Sequence, residues 1–194
     1  MGIVLLFMTL ILAQGNGFMV KPPDLLPYWQ AYARTHGAPT EIQEKREILM
    51  NYLGDYLLYR RAMDLKLDKD KDFKESWQEA KEEVLRRSER EKIDQKTREV
   101  ILHRVKRTLL IARIIEKEVL PRIKITEEEI EQLVSAHKRK KRGRKLTREN
   151  AIRFLKESKQ AEALNSYIEE LMDHYKVKIN EKALRDLKLS VPSS

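Results

Sequence analysis

The chain has 194 residues, which is enough for one domain of ordinary size. It has no cysteine, which excludes disulfide bonds, thiolate metal ligands and lipid attachment through an N-terminal thiol. A formal charge of +9 is typical of nucleic-acid binders, but residues 138–145 supply seven of the basic side chains and no acidic one. Without those seven, 33 of the 40 basic residues remain against 31 acidic ones, so the rest of the chain is nearly neutral.

An almost unbroken apolar run from Ile3 to Ala13 opens the chain. It is shorter than the roughly 20 residues of a membrane-spanning helix. Ala13 and Gly15 are small residues at the −3 and −1 positions of a signal-peptidase site. The run therefore predicts a secretory signal peptide at residues 1–15, cleaved near Gly15, with a buried N-terminal helix or a weak membrane anchor as the alternatives.

The remaining chain has the pattern of amphipathic helices separated by turn signals. Apolar side chains recur at spacings of three and four, and strand-like alternation is confined to short pieces. The predicted elements are, in order, a strand at 18–20, helices at 24–35, 40–65, 71–91 and 98–119, an extended piece at 122–125, helices at 126–137 and 147–172, a strand at 177–179 and a short helix at 180–187.

Capping residues support several of these helix starts. A Ser or Thr followed three residues later by Glu or Gln has the spacing of a capping box, and a lone Thr or Asn also satisfies a free amide. The predicted caps are Thr40 with Gln43, Thr126 with Glu129, Thr147, and Asn180.

These patterns predict an all-α protein with an irregular multi-helix architecture and at most a minimal two-stranded ribbon. The N- and C-terminal segments are expected to fold together, because each alone leaves a wide apolar face unburied.

One acidic frame resembles a calcium-binding loop. Asp68, Asp70 and Asp72, with Glu79 eleven positions after the first, match the acidic positions of an EF-hand. The loop needs glycine at its sixth position, where this chain has Phe73. Acidic residues gathered at a helix N-terminus, where the helix dipole favours them, are the better interpretation.

No other pattern indicates catalysis or a cofactor. The four histidines share no metal-ligand spacing, and the sequence has neither a Gly-x-Ser-x-Gly elbow nor a glycine-rich phosphate loop. We therefore expect no metal, no cofactor and no enzymatic activity.

Aromatic residues concentrate in the first third of the chain. Tyr52, Tyr56 and Tyr59 are spaced as one helical face. Core packing is one interpretation, but tyrosine tolerates a half-wet position that suits an extended, partly apolar peptide. The candidate peptide-binding residues are Tyr28, Trp29, Tyr32, Tyr52, Tyr56 and Tyr59.

The order of helices resembles that of the SurA/PrsA-type extracytoplasmic chaperones, in which a parvulin isomerase domain is inserted into a helical chaperone domain. The resemblance covers most of residues 40–180. The segments that carry it are 47–62, 108–119, 123–130, 159–171 and 177–179.

Where that family inserts a whole parvulin domain, this chain has only Lys138 to Leu146. The resemblance therefore implies an ATP-independent periplasmic chaperone that holds unfolded exported or outer-membrane proteins without isomerase activity. It implies no specific nucleic-acid partner and no stable membrane insertion after processing, and it leaves a homodimer open. The expected organisation is a signal peptide at 1–15, the chaperone domain at 16–137 and 147–187, a basic linker at 138–146 and a tail at 188–194.

The alternative function is binding of nucleic acid or another anionic surface through a basic loop. Its electrostatic residues would be Lys138, Arg139, Lys140, Lys141, Arg142, Arg144 and Lys145.

Overall fold

The computed structural model describes residues 10–139 and 146–189, and the side chains of Lys138 and Arg139 are not described. Most described residues are helical, with one small antiparallel sheet, which confirms the all-α class. The elements are β1 Ala13–Gly15, β2 Phe18–Val20, α1 Pro22–His36, α2 Ile42–Asp64, α3 Lys71–Arg90, α4 Gln95–Ile114, α5 Glu127–Arg139, α6 Arg148–His174, β3 Lys178–Ile179 and α7 Glu181–Asp186.

Three predicted caps are confirmed by their hydrogen bonds. The amide of Glu129 donates to Thr126 Oγ1 at 3.3 Å, and the Thr126 amide donates to the Glu129 carboxylate at 2.9 Å. Thr147 and Asn180 accept from the amides three residues further on, at 3.2 and 3.0 Å. These contacts satisfy donors that a helix start leaves without an intrahelical partner.

The predicted pairing of Thr40 with Gln43 is wrong. α2 begins at Ile42, so Glu44 occupies the third helical position. Its carboxylate accepts from the amides of Thr40 and Glu41 at 2.7 and 2.9 Å. The acidic half of a capping box is therefore present one residue later than the spacing suggested.

The chain forms two compact units. One combines the described residues up to Leu57 with those from Glu170 onward, and the other comprises Leu58–Glu169. The predicted domain boundaries stay predictions. Residues 1–9 of the predicted signal peptide, 140–145 of the basic linker and 190–194 of the tail lie outside the described residues.

The sheet of the first unit has three strands in the order β2-β1-β3, all antiparallel neighbours. The prediction of at most two strands is therefore wrong by one strand. The additional strand is β1, which falls within the residues assigned to the signal peptide. Ala13, Val20 and Leu12, which precedes β1, are fully buried, and they pack with Leu53 and Leu184 in the core of this unit.

Gly15 closes β1 at a position that has no room for a side chain. A Cβ atom there would lie 2.8 Å from both Cζ of Phe18 and the carbonyl oxygen of Tyr175. The Phe18 ring therefore lies over the glycine, and Gly17, with φ of 74°, makes the turn that joins the two strands.

In the second unit, α3 packs along α4 and an ion-pair network joins them. Asp70 caps α3 by accepting from the Asp72 amide at 3.0 Å. Its carboxylate also binds Lys117 and, at 3.2 Å, Arg113, which reaches Asp72 at 2.5 Å. Phe73 is buried beneath this cap. Asp70 and Asp72, two of the acidic residues that match the EF-hand positions, thus form ion pairs with Arg113 and Lys117.

α4 ends in two short irregular turns before the next helix. A π-helical turn spans Ile115–Val119, and a 3₁₀ turn follows at Leu120–Arg122. Pro121 lies inside this second turn, and the helical residues end at Arg122, three residues after the predicted end at residue 119.

A chain that begins at Asn16 lacks the central strand, so we expect it to be strongly destabilised or unable to fold. Removal of residues 1–9 alone keeps β1 and serves as the control. Urea unfolding followed by circular dichroism compares the two chains, and intact mass shows where the protein recovered from its own cells begins. A cooperative, equally stable protein starting at Asn16 would contradict this dependence on β1.

Lowering the pH should weaken the contact between α3 and α4, because it protonates Asp70. The hydrogen bond from Lys117, with the nearby charge of Arg113, lowers the pKa of Asp70 from 3.8 to about 2. A lowered pKa contributes stability that is complete above the unfolded value and is lost as the pH falls from about 4 to about 2. Urea midpoints across that window should depend less on pH in Asp70→Asn than in the wild type. Asp68→Asn is the control, because no ion pair involves Asp68 in the described residues.

Candidate peptide-binding surface

Four half-buried aromatic rings form a continuous row in the first unit. The ring centroids of Phe18 and Tyr56 are 4.8 Å apart, those of Tyr56 and Tyr52 are 6.0 Å apart, and Tyr52 meets Tyr28 edge-on at 5.6 Å. Spacings of this size are favourable for aromatic pairs. We call these four residues the aromatic row.

Three different elements position the aromatic row. Tyr52 and Tyr56 lie one turn apart on α2, Tyr28 comes from α1 and Phe18 from β2. The Tyr28 hydroxyl donates to the carboxylate of Asp55, also on α2. This hydrogen bond fixes the Tyr28 ring at its end of the row.

Tyr32, on α1 of the same unit, makes polar contacts of its own. Its hydroxyl donates to Glu44 at 3.2 Å, and its ring stacks on His36 with centroids 4.5 Å apart. Desolvation and the hydrogen bond to Glu44 raise the pKa of Tyr32. The amides of Glu41 and Thr40 lower the pKa of Glu44, so at neutral pH a neutral phenol faces a charged carboxylate.

Only part of the predicted aromatic group lies together. Tyr28, Tyr52 and Tyr56 belong to the aromatic row. Trp29 is 2% exposed and belongs to the core, so we leave it out of the candidate surface. Tyr59 lies in the second unit, where the Arg107 guanidinium is 5.7 Å from its ring centroid.

Sequence reasoning missed Phe18 as a member of this surface. The signal was present: Asn-Gly is the preferred turn of a two-residue hairpin, and Asn16-Gly17 lies between the apolar run that ends at Ala13 and the apolar residues 18–20. The signal-peptide interpretation ended at Gly15 and so separated the two strands of that hairpin.

An open groove of about 530 Å³ lies beside the hairpin. Residues 14–19 line it together with Lys176 and Lys178. Gln14 pairs with Met19 on one side and with Lys178 on the other, which places these three side chains on one face of the sheet. All three are exposed, and Met19 is 56% exposed.

The second unit carries other solvent-facing groups. Phe154 on α6 and Val100 on α4 are 57% and 55% exposed. An open groove of about 400 Å³ includes Lys159, which pairs with Glu129 at 2.6 Å. These grooves are open to solvent.

Within residues 10–139 and 146–189, no cluster of His, Asp and Glu has the makings of a metal site. In the same residues no helix combines the length and the apolar character that crossing a membrane requires. The predicted electrostatic loop lies outside the described residues from 140 to 145, and so do the side chains of Lys138 and Arg139.

Comparison with known proteins identified no relative. No family model matches the chain, and neither a curated protein nor a solved structure does. The resemblance to SurA/PrsA-type chaperones therefore stays an expectation from the sequence.

The anchoring of Tyr28 predicts a measurable coupling with Asp55. Tyr28→Phe removes one charge-assisted hydrogen bond, so it should lower the free energy of unfolding by about 1–2 kcal/mol. Combined with Asp55→Asn, the loss should be less than additive in a urea-unfolding double-mutant cycle. Strict additivity would show that the hydroxyl contributes nothing through Asp55.

Proposed function

We propose that this protein is an ATP-independent chaperone that holds unfolded exported polypeptides, including outer-membrane proteins, without isomerase activity. The observation that carries the proposal is the aromatic row of Phe18, Tyr56, Tyr52 and Tyr28. Rings held half-exposed by their neighbours offer apolar faces with little loss of side-chain entropy, and tyrosine hydroxyls tolerate water. Such a surface suits many extended sequences.

The grooves support a polypeptide rather than a small molecule. A small ligand is usually bound in a concave pocket that buries most of its surface. The described grooves have volumes from about 140 to about 530 Å³ and are open to solvent. An extended chain gains contacts along such grooves without having to be enclosed.

Exposed apolar side chains outside the first unit support the same function. Phe154 and Val100 are more than half exposed although each lies on a long helix with other burial faces. Single exposed apolar residues are common, but a long unfolded client can contact several of them together. Several weak contacts together would then bind the client strongly enough to keep it from aggregating.

Export to the periplasm is part of the proposal, and the apolar run from Ile3 to Ala13 supports it. The sheet adds a condition, because Leu12 and Ala13 are fully buried core residues. We therefore propose that a mature, folded chain retains β1.

The test is suppression of aggregation of an unfolded outer-membrane protein, measured by light scattering without nucleotide. We expect wild-type protein in several-fold excess to delay aggregation, and Tyr52→Ser with Tyr56→Ser to lose most of this effect. Tyr59→Ser, in the second unit, is the matched control. Absence of any delay by the wild type would refute the proposal.

Two further measurements separate this function from others. A protease-coupled peptide assay should show no acceleration of prolyl isomerisation. Binding to DNA or RNA should be weak at physiological salt. Tight, salt-sensitive binding that disappears when residues 138–145 are neutralised would instead favour the nucleic-acid alternative.

A further inference from the structure

We propose that the groove on the exposed face of the sheet, lined by residues 14–19 with Lys176 and Lys178, holds an extended client segment in which an apolar core is flanked by acidic side chains. This inference rests on the proposed holding function and specifies the segments that the protein prefers. Phe18 lines this groove and also belongs to the aromatic row, so the two surfaces adjoin, but only the groove brings lysines beside an apolar contact.

The groove crosses the sheet instead of following one edge of it. In the order β2-β1-β3, Met19 of β2 and Lys178 of β3 lie on either side of Gln14 of β1. Neighbouring strands are about 4.8 Å apart, so an extended segment lying across this face reaches Met19 and Lys178 together. Binding then depends on side-chain contacts and not on the addition of a strand to the sheet.

The exposed face of the sheet supplies an apolar contact in this groove. Met19 is 56% exposed, whereas its neighbour Val20 and the paired Ala13 are fully buried on the opposite face. Methionine is flexible and polarisable, so it adapts to differently shaped apolar side chains. One face of β2 therefore packs in the core, and its other face is accessible to a ligand.

The charge of the groove determines which side chains are favoured on either side of the apolar core of the ligand. Lys176 and Lys178 line the groove, and its lining includes no Asp or Glu. In the described residues neither lysine has a carboxylate partner, unlike Arg46, which pairs with Glu181 at 3.0 Å in the same unit. Two uncompensated ammonium groups beside an apolar contact favour a segment with acidic side chains and speed its capture.

Two other occupants fit this groove less well. Residues 190–194 are Ser-Val-Pro-Ser-Ser, a segment without an acidic side chain. A second copy that packed on this face through its own groove would bring its Lys176 and Lys178 toward the same two lysines, and like charges repel. A client segment with acidic flanks avoids both difficulties.

Two fluorescein-labelled peptides test the inference. Both contain the same three aliphatic residues, flanked on each side by two Asp in one peptide and by two Lys in its twin. In anisotropy titrations at low salt, we expect the wild type to bind the Asp peptide about fivefold more tightly, as two exposed ion pairs would give. The preference should vanish near about 1 M salt, where exposed charges are screened.

Charge reversal locates the site. Lys176→Glu with Lys178→Glu should reverse the preference in favour of the Lys peptide. Lys182→Glu with Lys188→Glu changes the net charge equally at exposed lysines outside the groove and should leave the preference unchanged. Should the reversed pair fold poorly by circular dichroism, Lys176→Gln with Lys178→Gln should abolish the preference without reversing it.

Met19→Ser should weaken the binding of both peptides to the same extent and so preserve the ratio of their affinities. The inference is overturned when the wild type shows no preference, when the preference survives charge reversal, or when Met19→Ser has no effect. Suppression of client aggregation is measured on the same variants. Its absence in a wild type that still prefers the Asp peptide would count against the proposed function alone.

Discussion

The burial of Leu12 and Ala13, where the central strand begins, is the constraint on which the first unit depends. The Leu12 amide donates to the carbonyl of Val20 at 2.8 Å, and the Leu12 carbonyl accepts from the amide of Asn180 at 2.8 Å. Burying one leucine side chain contributes about 1.5–3 kcal/mol. Since the two partners of Leu12 come from opposite ends of the described chain, this short strand closes the unit and holds Phe18 beside Tyr56.

A different interaction orders the second unit. Arg113 is 16% exposed and binds three carboxylates, those of Asp70, Asp72 and Glu116. A guanidinium with little solvent around it is screened less than an exposed one, and the loss of one partner leaves its charge poorly compensated. The network attaches the start of α3 to the end of α4, where the helix becomes irregular before Pro121.

Within the first unit, the aromatic row is held by ring contacts and by the hydrogen bond from Tyr28 to Asp55, yet none of its rings is fully buried. The groove beside the hairpin combines Met19 with two lysines. These surfaces suit the proposed holding function, because a pre-ordered aromatic surface would bind with little entropy loss and exposed charges would discriminate among clients only modestly.

The helices follow from local sequence, because a helix depends on contacts between residues three and four apart. The pairing of Thr126 with Glu129 was predictable for that reason, and near Thr40 the acidic side chain that accepts from the free amides lies one residue later than predicted. The apolar composition near Leu12 and Ala13 could not show that these two residues are buried beside a sheet, since leaders and buried strands are both apolar. The position of β1 between β2 and β3 depends on the fold, because the pairing of Gln14 with Lys178 joins residues far apart in the chain. Packing likewise decided that Trp29 is buried while its neighbour Tyr28 joins the surface, a distinction that depends on which side of α1 faces the core.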